Sequence, residues 1–219
     1  MTDIVFEKMI SSGIVAVVRK VDPKKVNQLV NSLITGGVSG IEITMDSEKA
    51  LETINELKDI HNHRVTIGAG TVVNKKQATE AINAGADFIF APIIDKATIE
   101  YTKREDKIMV PGAFTPTEIY QGYLYGADAI KIFPSNVVGP KFIQDVKGPL
   151  SEIPLMPTGG ISLENIQSYF EVGCIAAGVG GSLVDLKLIN NNKWAELEDL
   201  ARKYVNSASR MKKNRPTKI

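Results

Sequence analysis

The chain is poor in the residues that announce many chemistries. It has one cysteine, Cys174, so no internal disulfide can form, and that cysteine reads as a small apolar residue at a helix–strand junction. Its two histidines, His61 and His63, fall together at the end of a predicted helix and read as solvent-exposed. No pair of histidines or carboxylates stands at ligand spacing on a strand end, which argues against a metal centre. Charge of one sign is lacking too: 26 Lys and Arg stand against 25 Asp and Glu, a formal net charge of +1 with no basic field to attract nucleic acid. No apolar run reaches the ~18 residues that a spanning helix requires. Asp3, Glu7 and Lys8 give the N-terminus neither the charge order nor the apolar stretch of a secretory signal. The expectation is a cytoplasmic protein acting on a small molecule, without a membrane or nucleic-acid partner.

What is present begins with a lysine where a core residue belongs. Lys131 is flanked by Ile130, Ile132 and Phe133. Strand side chains alternate between faces, so if the isoleucines pack against helices, Lys131 points into the protein. Burying an amine favours its neutral, nucleophilic form, the requirement for Schiff-base chemistry. Glu42 sits in a matching frame between Ile41 and Ile43. Similar segments, each opening with a glycine, start at Gly37, Gly85, Gly126 and Gly173, in steps of 48, 41 and 47 residues. A strand–helix unit of an eight-fold barrel takes about 30 residues or fewer, so each step holds two units and four steps make eight. Five residues past each glycine stand Glu42, Phe90, Lys131 and Gly178. Alternate strands supply one interior layer of a barrel, so these four are expected to share a cavity, with Phe90 lining it and Gly178 leaving room.

Strand and helix patterns alternate along the whole chain. Strands are predicted at 14–19, 41–44, 65–69, 88–91, 108–111, 129–133, 155–158 and 176–179. Asp22 with Pro23, Asn74 with Gln77, and Thr115-Pro116-Thr117-Glu118 mark helix starts. The fold class is α/β: a single (β/α)8 TIM barrel with an N-terminal helix, occupying residues 1–206. Residues 207–219 hold five Lys/Arg and no acid, and read as a solvated, frayed tail.

Barrel active sites lie at the C-terminal strand ends. The polar residues there are Arg19, Glu42, Thr44, Thr71, Lys131, Thr158 and Ser182. Two glycine-rich turns, Thr158-Gly159-Gly160-Ile161-Ser162 and Gly178-Val179-Gly180-Gly181-Ser182, follow strands seven and eight. Paired turns at those positions suit a phosphate, because glycine lets backbone amides approach an anion closely.

Taken in order, Gly40-Ile41-Glu42-Ile43-Thr44, Gly68-Ala69-Gly70-Thr71, Pro111-Gly112, Lys131-Ile132-Phe133-Pro134, Pro157-Thr158-Gly159-Gly160-Ile161 and Gly180-Gly181-Ser182-Leu183-Val184 resemble the KDPG/KHG aldolases. These are class I enzymes acting on 2-keto-3-deoxy-6-phosphogluconate and 2-keto-4-hydroxyglutarate. The resemblance implies Lys131 as the imine-forming residue and Glu42 as a proton relay, no cofactor, and a homotrimer. It also implies Pro92 and Phe133 as lining residues, and Thr158, Gly159, Gly160 and Ser182 around the substrate. Two positions depart from the family pattern. Asp46 stands where some members hold the substrate carboxylate with arginine, so that clamp is assigned to Arg19 with Thr71. Asn136 stands where glutamate is common.

Other readings start from the same residues. Lys131 and Glu42 could form a buried ion pair without chemistry, and Arg19 could pair with Asp46 at the rim. A phosphate-binding isomerase or decarboxylase, a silent sugar-phosphate binder, and an aldolase for the galactonate epimer would use the same frame.

Overall fold

The computed structural model describes residues 2–213. Among these residues nine strands lie in chain order: β1 (Ile14–Val18), β2 (Gly40–Thr44), β3 (Thr66–Gly70), β4 (Phe88–Phe90), β5 (Ile108–Val110), β6 (Gly112–Ala113), β7 (Ile130–Ile132), β8 (Leu155–Pro157) and β9 (Ala177–Val179). The ten helices between and around them are α1 (Thr2–Ile10), α2 (Pro23–Thr35), α3 (Ala50–His61), α4 (Lys75–Asn83), α5 (Lys96–Arg104), α6 (Pro116–Leu124), α7 (Ser135–Lys147), α8 (Ile166–Glu171), α9 (Leu186–Asn190) and α10 (Trp194–Lys213). The predicted helix starts form as local chemistry dictates. Thr115 and Glu118 close a reciprocal capping box, and Asn74 accepts from the Gln77 amide at 2.9 Å.

All strands pair in parallel. A six-stranded sheet runs β5-β4-β3-β2-β1-β9, and a three-stranded sheet runs β6-β7-β8. The fifth predicted strand is therefore two short ones, divided at Pro111. Proline has no N–H to donate to a ladder. Up to Val110 the segment pairs with β4; the Pro111 carbonyl then accepts from the Lys131 amide, and the chain continues along β7. At the opposite margins of the two sheets a parallel bridge joins Thr158 to Gly178.

The four glycines that set the sequence repeat have one structural job. Gly37, Gly85, Gly126 and Gly173 end α2, α4, α6 and α8 with φ of 97°, 98°, 95° and 93°, each in the paired hydrogen bonds of a Schellman motif. A side chain from the neighbouring helix lies over each of them: Val205, Lys58, Lys103 and Lys147 respectively. The fold thus repeats a quarter unit four times.

Both faces of the sheet are covered. Ile41, Ile43, Ile130 and Ile132 belong to the large core shared with the helices, whereas Val15, Phe88, Phe90, Val110 and Met156 form a second cluster inside. Met9 and Ile10 of α1 join that inner cluster, and Met9 lies against Gly40, the first residue of β2. Helix α1 therefore covers the end at which the strands begin.

The C-terminal segment departs from expectation. Helix α10 runs through Ser207 to Lys213 rather than fraying at Ser207. Leu197, Ala201, Tyr204 and Ala208 are buried at helical spacing, so one continuous stripe holds the helix down past that point. The remainder of the expected tail, 214–219, lies outside the described residues.

Candidate active site

Strand alternation places Lys131 as its neighbours required. Its side chain enters the inner face of β7 with 5% of the residue exposed, and Glu42 enters from β2 with 1% exposed. Nζ of Lys131 lies 4.0 Å from Oε1 of Glu42, beyond hydrogen-bond reach. The amine also sits 5.9 Å from the centre of the Phe90 ring and 5.1 Å from that of Phe133. The space beside Gly178 is taken by Thr158, whose hydroxyl a β-carbon there would strike.

Among the described residues, neither Glu42 oxygen has a hydrogen-bond partner. Burial drives its carboxyl above the ordinary value of 4.5, while Lys131 and then Arg19 pull it down and Asp46 pushes it up. A carboxyl in that condition holds its proton more readily than an exposed glutamate does. Gly70 makes room for it: a β-carbon at position 70 would fall on the Glu42 carboxylate. Gly70 belongs to the Gly68-Ala69-Gly70-Thr71 motif, which by itself does not show why this position must be bare. Its cross-strand position, opposite Thr44 and two residues from Glu42, was the available signal.

A cavity of about 600 Å³ opens beside Phe133. Arg19, Phe133, Thr158, Gly159, Gly160 and Ser182 line it, so six of the expected site residues meet there. Thr158 is buried and its hydroxyl has no hydrogen-bond partner among the described residues. The Ser182 hydroxyl donates to the Ile161 carbonyl at 2.5 Å and ties the two glycine turns together. Lys131, Glu42, Thr71 and Pro92 are not among the residues that line it, and neither are Phe90 and Gly178; the amine and the carboxylate lie beyond Phe133, inside the strands. Thr71 follows β3 with φ of 58°, a left-handed conformation that costs a β-branched residue about 1–3 kcal/mol. Pro92 is half-buried after β4, with its backbone against Gly112.

Arg19 adopts the rim pairing. Its Nε and Nη2 donate to Oδ2 of Asp46 at 3.0 and 2.8 Å, with 55% of the arginine side chain exposed. Burial raises the Asp46 carboxyl, but the Thr44 hydroxyl, the Arg19 guanidinium and the Lys20 ammonium together outweigh it and hold the group below its ordinary value of 3.8.

His61 corrects the expectation of exposure. It is 4% exposed, with Nε2 at 2.8 Å from Asn27 Oδ1 on α2, because α3 and α2 pack side by side there. His63 is exposed as expected, and Cys174 is buried. Among the described residues no three His, Cys, Asp or Glu side chains gather as a metal centre needs, and no helix is long and apolar enough to cross a membrane.

The fold is an α/β one, a curled parallel sheet around a buried amine and carboxylate with a glycine-lined cavity alongside. The chain belongs to the KDPG and KHG aldolase family, whose model matches residues 5–200, and is thus a carbon–carbon lyase. A 2-dehydro-3-deoxy-phosphogluconate aldolase of Haemophilus influenzae is 32% identical over 93% of this chain and 96% of its own length. A 2-dehydro-3-deoxy-6-phosphogalactonate aldolase of Escherichia coli is 31% identical over 78% of this chain and 83% of its own. The solved native KDPGal structure superposes with a TM-score of 0.85 at 27% identity, covering 91% of this chain and 96% of that one.

Proposed function

We propose that the chain is a class I aldolase that cleaves 2-keto-3-deoxy-6-phosphogluconate to pyruvate and glyceraldehyde 3-phosphate through an imine on Lys131. The observation that carries this is the buried amine facing a partnerless buried carboxylate at 4.0 Å, beside a cavity bounded by two glycine turns. The Lys131 amine adds to the C2 ketone, and loss of water leaves a protonated imine. Glu42 takes the proton of the C4 hydroxyl, directly or through water, as the C3–C4 bond breaks. The bonding electrons pass to the imine nitrogen, giving an enamine and the free aldehyde. Returning that proton to C3 and hydrolysing the imine release pyruvate and the amine. Phe90, Phe133 and Pro92 wall the amine, and Arg19 with Thr71 holds the C1 carboxylate. The phosphate rests on Gly159, Gly160 and Ser182, competing with the Ile161 carbonyl for the serine proton.

Such a site needs its strands to enclose the lysine. We read the two sheets as one eight-stranded barrel, supported by the single-residue break at Pro111 and the Thr158–Gly178 bridge. Ile93, Phe114, Tyr120, Tyr123, Leu124 and Val137 leave large apolar groups exposed, which supports burial between copies in a homotrimer. A cytoplasmic setting suits a phosphorylated intermediate of carbohydrate metabolism.

Borohydride added with pyruvate tests the proposal. Pyruvate becomes fixed on Lys131 if the imine forms, and Lys131→Met abolishes the adduct. No adduct on the native protein would leave the acid–base isomerase or decarboxylase in its place. Steady-state cleavage of the gluconate-derived and galactonate-derived phosphates and of 4-hydroxy-2-oxoglutarate then ranks the substrates; the first is expected to have the highest kcat/KM.

A further inference from the structure

Ser135, the first residue of α7, is fully buried, and neither the sequence pattern nor the proposed mechanism uses it. It makes three bonds to its surroundings. Its amide donates to the Thr158 carbonyl at 2.8 Å, its hydroxyl donates to the Gly159 carbonyl at 2.8 Å, and its own carbonyl accepts from the Tyr169 hydroxyl at 3.0 Å. The Asn136 amide adds a second donor to Gly159 at 3.1 Å, and Asn165 Nδ2 holds the Gly160 carbonyl at 2.8 Å. Three successive carbonyls of the turn after β8 are therefore pinned. In a planar trans peptide the N–H points opposite to the C=O across the same bond. Holding the Thr158 and Gly159 carbonyls toward α7 thus turns the Gly159 and Gly160 amides away from it. Both glycines border the cavity, with φ of 95° and 70°.

We infer that Ser135, braced by Tyr169, is a positioning residue that aims the Gly159 and Gly160 amides at the substrate's phosphate. The inference rests on the proposed phosphorylated substrate, and it predicts that loss of the serine hydroxyl weakens phosphate binding while leaving the imine chemistry intact. With its hydroxyl bond gone, the Gly159–Gly160 peptide keeps only the Asn136 amide to orient it.

The experiment compares Ser135→Ala and Tyr169→Phe with the native enzyme. Expected for Ser135→Ala is a rise of about fivefold to tenfold in KM for the phosphorylated substrate, the size of one net hydrogen bond. Its kcat should stay within about twofold, and the inhibition constant of inorganic phosphate should rise in parallel. The pyruvate concentration giving half-maximal borohydride trapping on Lys131, a reaction without a phosphate, should not move. Tyr169→Phe should shift the same two phosphate-dependent quantities in the same direction, and it carries the test should the alanine variant fold poorly. Unchanged phosphate inhibition, or an equal loss in pyruvate trapping and phosphate binding, overturns the inference. Absence of trapping on the native protein would overturn the proposed function instead.

Discussion

The β-carbon that Gly70 lacks would occupy the place of the Glu42 carboxylate. Two strands, β2 and β3, thus share one volume, and a buried acid fits only because the residue beside it is the smallest available. Gly70→Ala should displace the Glu42 side chain and overpack the interior, at a cost of about 1–3 kcal/mol. Turnover should fall by more than thermal stability accounts for, which a melting curve and steady-state kinetics on the same preparation would check.

Glu42 itself should reveal its environment through pH. A general base works when ionised, so kcat/KM should fall as pH drops through its raised pKa, above the usual carboxylate range. Glu42→Gln should lower kcat by about 10²–10⁴-fold. Asp46→Asn removes a negative charge that raises the Glu42 pKa and should move the acid limb to lower pH, whereas Arg19→Gln removes an opposing positive charge and should move it higher. Limbs that stay in place in both variants would assign the titration to another group.

His61 makes stability depend on pH. Burial, with Arg64 adding to it, lowers its pKa below 6.5 in the folded state, so the unfolded chain binds the proton more readily. The stability from a neutral His61 is present above about pH 6.5 and is lost as pH falls below it. Urea midpoints measured from pH 7.5 to 5 should decline, and His61→Gln should flatten that decline.

The quarter repeat has its own test. Asp87 joins Lys58 to the Ile67 amide, and Asp128 joins Lys103 to the Met109 amide, in the same pattern one quarter apart. Asp128→Ala removes the ion pair and leaves the Met109 amide without its acceptor. It should cost about 1.5–3 kcal/mol, read as a lower urea midpoint at unchanged slope. Activity per folded molecule should hold, since Asp128 sits at the strand start, away from the cavity.

Much of this was legible in one dimension because the relevant physics is local. Alternation with a period of two put Lys131 and Glu42 on the face opposite their isoleucines. Glycines with positive φ punctuated the helices at regular steps, and Thr115 with Glu118 announced a helix start by their own hydrogen bonds. What escaped notice depends on partners far along the chain. His61 is buried by Asn27, and Ser135 reaches Gly159 and Tyr169; the Arg19–Asp46 pairing was legible only as one of two readings, which the packing decides. The fifth strand broke at Pro111 because a missing N–H matters only once the neighbouring strand is known. Helix α10 runs into the basic segment past Ser207 because Ala208 found a place against Gly13.

By itself, the order of residues determined which side chains face inward and which turns are rich in glycine, since backbone geometry and local capping act within a few residues. Only the tertiary structure decided that the amine and the carboxylate stand 4.0 Å apart, that Gly70 must be bare, and that a buried serine steadies a turn on the next strand. Those relations arise where distant strands meet, and distance in space is set by the packing of the whole sheet rather than by any segment of it.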